Sequence, residues 1–160
     1  MAFQDMREFL EFLKNKNQLI EVDTELNAAR GTTELQPLMR HIHNINGPAL
    51  MLNNLSGYNH PDIPVLFNPY GTRERTSMIL GKERPLEGKL KFTEVLTNRS
   101  LWIKPNMIDR AEATCKQVII EKKDIDLSQQ LPHVWFGKEG PSYITNAVVI
   151  SKDPETGQLN

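Results

Sequence analysis

With a single cysteine, Cys115, this 160-residue chain cannot form an intrachain disulfide, and a lone cysteine suits a reducing compartment, where it usually serves as a small buried apolar residue. No apolar run approaches the roughly 20 residues that a bilayer-spanning helix requires. Nine glycines, without any repeat, exclude collagen or linker character. Charge of one sign is missing as well. Nineteen basic residues against 20 acidic ones leave a net charge of -1, which removes the electrostatic footprint of a general nucleic-acid binder. The opening MAFQDMREFL carries acidic residues where a signal peptide carries basic ones, and no small-residue cleavage site follows. These absences describe a cytoplasmic protein with neither a membrane nor a nucleic acid as partner. The chain also lacks GxGxxG, the phosphate-loop GxxxxGKS/T, HExxH, GxSxG and CxxC, which argues against a self-contained nucleotide, zinc or serine-hydrolase site.

What is present is ordinary globular chemistry: 39% hydrophobic and 24% charged residues. A chain of this length buries roughly 70% of its unfolded surface and needs no disulfide or metal staple. Met6, Phe9, Leu10, Phe12 and Leu13 recur at helical spacing after Asp5, which can cap the helix, with Glu8 completing a reciprocal box. The NKNQ run at 15–18 stops it, because Asn tolerates the left-handed conformation. LIEVDT at 19–24 alternates as a strand, with Ile20 and Val22 on one face. A second helix starts near Thr33, tolerates Pro37 in its first turn, turns Leu35, Leu38, Met39, Ile42 and Ile45 inward, and stops at Asn46-Gly47-Pro48. Phe9, Leu38 and Ile42 are therefore expected in the core.

Residues 49–53 and 64–68 read as short buried strands, joined through an exposed connection, SGYNHPDI. Thr72 should cap a helix running to Leu80 and closed by Gly81, and a further helix covers about 86–97. Residues 100–113 form a connection between structural units. Beyond it are expected a strand at 116–121, a short helical turn ended by Pro132, a long strand at 143–151, and a tight turn, DPETG, leading into a returning strand.

Few side chains suggest chemistry on their own. His41 and His43 lie two apart and face different sides of a helix, so they do not reach one metal readily. His60, before Pro61, is expected in solvent, and His133, near Trp135, could border a pocket. GTRER puts Arg73 and Arg75 near a helix start, where the helix dipole favours anions, although arginines there are commonly solvated or paired with Glu74. The basic stretch 82–91 interleaves Lys82, Arg84, Lys89 and Lys91 with Glu83 and Glu87, the pattern of a solvated helical face.

Taken in order, QDMREFLEFLKNKNQLIEV, NGPALMLNNLSGY, PVLFNPYGTRERTSMILG and LPHVWFGKEGPSYITNAVVISKDPETGQLN resemble the UbiD family of reversible decarboxylases, which act on aromatic and unsaturated acids with prenylated FMN. The opening is similar to the hydroxybenzoate and phenolic-acid decarboxylase branch. The resemblance implies a mixed α/β fold: an N-terminal α/β domain over residues 1–113, then the first strands of a split-barrel flavin-binding domain over 114–160. It implies that Asn160 supplies a neutral oxygen to a divalent metal, manganese in the usual case, beside the cofactor phosphate, and that Thr145 faces the cofactor region. It assigns no catalytic residue to this chain, and implies a small aromatic or unsaturated acid as substrate and a homo-oligomer for the full-length protein. Family members are much longer and supply most of the site after this asparagine. The expectation is therefore a fragment, or a short subunit completed by another chain, inactive alone. A non-catalytic assembly module that kept the N-terminal fold is the alternative.

Overall fold

Asp5 begins the first helix. Its Oδ1 accepts the backbone N–H of Glu8 at 2.9 Å, while Glu8 Oε2 accepts the N–H of Gln4 at 2.6 Å, so the reciprocal cap closes one residue earlier than the sequence pattern suggests. The computed structural model describes residues 3–32, 34–104, 106–134, 140, 143 and 148–159. Helix α1 spans Met6–Asn15 and buries Phe9 and Leu13. Asn17, at φ 53°, ends it in the left-handed conformation. The chain then enters β1, Leu19–Val22, and the two-residue β2, Leu26–Asn27.

Helix α2, Leu35–Asn44, carries Pro37 in its first turn and buries Leu35, Met39 and Ile42. Thr33, its expected start, lies outside the described residues. Leu38 is only half-buried, and Ile45 is 55% exposed. The reason is local: Asn46 at φ 51° stops the helix at Asn44, and Ile45, the C-cap, leaves the inner stripe. Strand β3, Ala49–Leu52, follows, then β4, Leu55–Ser56, and β5, Val65–Phe67.

The strands form two sheets. The larger has the order β1-β3-β5, with β1 parallel and β5 antiparallel to the central β3. The smaller pairs β2 with β4 in parallel, a feature too short to carry a periodic signal. Register divides the larger sheet cleanly. Leu52 lies between Val22 and Val65, and Leu50 opposite Phe67; this face packs under Leu35, Met39 and Ile42 of α2. Ala49, with Leu19 and Leu66, faces the other way, against Phe9 and Leu13 of α1 and Met78 and Ile79 beyond it. Ile20, placed by alternation on the α2 side, is 49% exposed because β1 is an edge strand.

Thr72 caps helix α3, Arg73–Ile79, its Oγ1 accepting the N–H of Arg75 at 3.1 Å, and Gly81 at φ 69° ends the turn. Helix α4, Pro85–Thr97, starts with proline at its first position and runs against α3. The two helices touch at Gly88, where a Cβ would stand 2.3 Å from Ser77 Oγ, so no larger residue fits without parting them. A 3-10 turn, Arg99–Leu101, leads into the connecting stretch.

The expected strand at 116–121 is not formed. Thr114–Lys116 is a 3-10 turn, residues 118–120 are in no sheet, and Val118, Ile119 and Ile120 are 78%, 55% and 41% exposed. β-Branched composition supplies propensity but not the partner strand that stabilises it. Helix α5, Leu127–Gln130, is the expected short turn, capped by Asp126. Of the long strand expected at 143–151, residues 144–147 lie outside the described residues and 148–150 are not in a sheet.

Candidate functional site

The C-terminal turn is the described element nearest to the residues the family resemblance implicates. Asp153 organises it: its Oδ1 accepts the N–H of Thr156 at 2.6 Å and of Glu155 at 2.8 Å, and its carbonyl accepts the N–H of Gly157 at 2.9 Å. Gly157, at φ 73°, turns the chain back so that Asp153 N–H reaches the Gln158 carbonyl at 2.8 Å and Lys152 bridges Leu159 in antiparallel fashion. The turn thus directs the chain toward position 160. Asn160 and Thr145 lie outside the described residues.

The amides of Thr156 and Glu155, in that order, hold the Asp153 carboxyl below its ordinary value of 3.8. A depressed folded-state value means that the carboxylate's contribution to the turn is present above 3.8 and lost as pH falls through the folded value. The amide resonances of Glu155 and Thr156 should therefore titrate with a midpoint below 3.8, and Asp153→Ala should abolish both titrations. A midpoint at or above 3.8 would show that the two bonds are not made.

At GTRER the expectation of arginines that are solvated or paired with Glu74 or another acidic neighbour fails for Arg75. Arg73 is exposed, but Arg75 is fully buried. Its Nη1 donates to Gln18 Oε1 at 3.0 Å and its Nη2 to the Asn68 carbonyl at 3.3 Å, joining the end of α1 to the loop before α3. Burial pushes the guanidinium below its usual value, with Glu74 opposing that shift. Asn68, at φ 59°, donates through Nδ2 to the carbonyls of Gly47 and Pro48, both at 3.3 Å. Gly71 must lack a side chain, since a Cβ there would lie 1.5 Å from Asn68 Oδ1. This network is a structural clamp, with Arg75 Nε buried and without a hydrogen-bond partner among the described residues, and the sequence signals it only through the spacing of Asn68, Gly71 and Arg75.

The histidines do not converge. His41 and His43 are exposed on α2. His60 is half-buried, not solvated, and packs edge-on to Tyr58. Beside it a segment from further along the chain docks: Asn59 Nδ2 donates to the carbonyls of Ser128 at 2.8 Å and Leu131 at 2.9 Å, and Val134 joins the core cluster that holds Tyr58. Nothing local in the sequence marks Asn59 for this role. His133 lies in the docked segment, its Nδ1 2.8 Å from the Leu131 carbonyl; Trp135 lies outside the described residues. Cys115 is exposed rather than buried, since the stretch around it packs on no core.

Among the described residues no group of three or more His, Cys, Asp and Glu side chains could hold a metal ion. They form no cage for manganese, and no chemical step through a metal follows from their arrangement. No helix among them is long and apolar enough to cross a membrane. Two apolar depressions flank α4 among the described residues: an open groove of about 880 Å³ between α3 and α4, and one of about 620 Å³ between α1 and α4.

Similarity to known proteins places the chain in a known class. The N-terminal domain of the 3-octaprenyl-4-hydroxybenzoate carboxy-lyase family matches residues 10–90, and that family's Rift-related domain matches 106–160; the chain belongs to the UbiD family. Among particular proteins, it is 33% identical to phenolic acid decarboxylase of Sedimentibacter hydroxybenzoicus, over 96% of this chain and 32% of that one. The structure of vanillic acid decarboxylase from the same organism, in its closed form, is similar with a TM-score of 0.75 and 32% identity, covering 96% of this chain and 32% of that one. An evolved dimeric form of the UbiD-class enzyme HmfF from Pelotomaculum thermopropionicum, in complex with prFMN, gives a TM-score of 0.76 and 27% identity, covering 99% of this chain and 34% of that one. The chain thus spans about a third of the length of these relatives. Its mixed α/β fold is that of the UbiD-class N-terminal region.

Proposed function

We propose that this chain forms the N-terminal scaffold of a UbiD-type carboxy-lyase that reversibly decarboxylates an aromatic or α,β-unsaturated acid without net oxidation. The carrying observation is that both family domains match in order along the chain, with the Asp153 turn placed immediately before Asn160. In this reading residues 1–113 are one domain and 114–160 begin the flavin-binding one. Prenylated FMN, when bound, supplies the electron sink for departing CO2. Asn160 contributes a neutral carbonyl oxygen to the divalent metal, manganese, and Thr145 lies on the cofactor side. The enzyme is cytoplasmic and homo-oligomeric at full length, and the relative named phenolic acid decarboxylase supports a phenolic acid as substrate.

One neutral oxygen cannot retain a hard cation against water, because such ions take about six oxygens and draw most of their affinity from carboxylates and phosphate. The 160-residue chain alone should therefore show no stoichiometric metal, no flavin absorbance and no CO2 release. Assembled with the part of the Sedimentibacter decarboxylase that lies beyond its match, and given prenylated FMN and manganese, it should release CO2 from 4-hydroxybenzoate or vanillate. In that assembly Asn160→Ala should strip metal, measured by elemental analysis, far more than Asn146→Ala. Equal retention by the two variants would reject the ligand assignment. A folded assembly that binds neither flavin nor metal would instead make the chain a non-catalytic module.

A further inference from the structure

We infer that the trough along α4 is a docking site for an acidic amphipathic helix. Helix α4 has 13 residues, about 20 Å, and among its charged residues it leaves four large apolar side chains in solvent: Leu86, Leu90, Phe92 and Leu96 are 68%, 61%, 53% and 56% exposed. On an outer helix only the stripe facing the core should be apolar. The grooves on its two sides share Tyr70, Leu80 and Phe92, so they form one continuous apolar trough. Such a trough is longer than a small ligand needs and matches three to four turns of a helix that inserts residues at i, i+3, i+4 and i+7.

Charge selects the occupant. Arg73 and Lys89 line the larger groove, and no acidic residue does, while in the smaller groove Asp5 is already paired with Arg7 and Lys91 with Glu94. Neither makes an ion pair among the described residues, whereas the neighbouring cations Arg84 and Lys91 are held by Glu87 and Glu94. A helix with Glu or Asp along the edges of its apolar face would meet both free cations. A second copy of this chain fits less well: a two-fold interface centred on this groove would bring Arg73 and Lys89 of the two protomers together, like charge against like. The inference does not depend on the decarboxylase reading, since it uses only this surface.

The test uses the whole chain and two synthetic 14-residue amphipathic peptides with identical leucine spacing, one bearing Glu and the other Lys at the flanking positions. By fluorescence anisotropy at low salt, the Glu peptide should bind at least tenfold more tightly than the Lys peptide. The double variant Arg73→Glu, Lys89→Glu should reverse that preference. Both positions are exposed, and Glu at the start of α3 suits the helix dipole, so circular dichroism should confirm an unchanged fold. Leu90→Ser should weaken the binding of both peptides. Equal affinity for the two peptides, no binding at millimolar concentration, or indifference to the charge reversal would overturn the inference. So would displacement of the Glu peptide by a small aromatic acid, or sedimentation as a dimer that Leu90→Ser dissociates.

Discussion

Leu52→Ala should lower the unfolding free energy by about 2–5 kcal/mol. Leu52 is 1% exposed at the end of the central strand β3, between Val22 and Val65, with α2 packed over it. Truncation there removes a buried isobutyl group and leaves a cavity that sheet hydrogen bonds on both sides prevent from collapsing. Leu38→Ala should cost less, because Leu38 is half-buried at the margin of the same cluster. Ile45→Ala should cost least, since that side chain is 55% exposed beyond the helix stop. Urea denaturation with an unchanged m-value reads all three. A loss at Leu38 equal to or above that at Leu52 would mean that the α2 face is rotated from the one described.

Arg75→Ala carries the second large effect, through a different cause. The guanidinium is fully buried and bridges Gln18 and Asn68, so truncation leaves Gln18 Oε1 without its donor, leaves the Asn68 carbonyl with only the Gly71 N–H at 3.2 Å, and opens a void between α1 and α3. An unsatisfied buried group costs about 1–3 kcal/mol, and the lost volume adds to it. Arg75→Met separates these contributions. It fills the space and removes a charge that burial already disfavours, so part of the lost hydrogen bonding should be offset. Thermal melts should rank the wild type above Arg75→Met and Arg75→Ala last. If Met and Ala were equally destabilising, the clamp would act through its hydrogen bonds alone and packing at this site would contribute nothing.

The helices were legible in the sequence because groups a few residues away start α1 and α3 and stop α1, α2 and α3. Asp5 meets the amide of Glu8, and Thr72 that of Arg75, within one turn, while Asn17, Asn46 and Gly81 reverse the chain through their own backbone preference. The DPETG turn is equally local, since Asp153 bonds to the two amides that follow it. The three strands of the larger sheet were legible, β1 from its alternation and β3 and β5 from their short apolar runs, though their order and register were not. The order of apolar and turn segments was also enough to carry the family resemblance that the domain matches bear out.

Tertiary structure decided whatever depends on a partner far along the chain. Arg75 reads as a surface arginine until Gln18, 57 positions earlier, arrives beside it. Asn59 becomes an anchor only when Ser128 and Leu131, 69 and 72 positions later, present their carbonyls. Residues 116–121 have the composition of a strand and fail to form one, because a strand's stability belongs to the pair and not to the segment. Local preferences set where elements begin and end. Which of their side chains are desolvated, and with what partner, is settled by long-range packing, whose free energy exceeds any single-residue propensity.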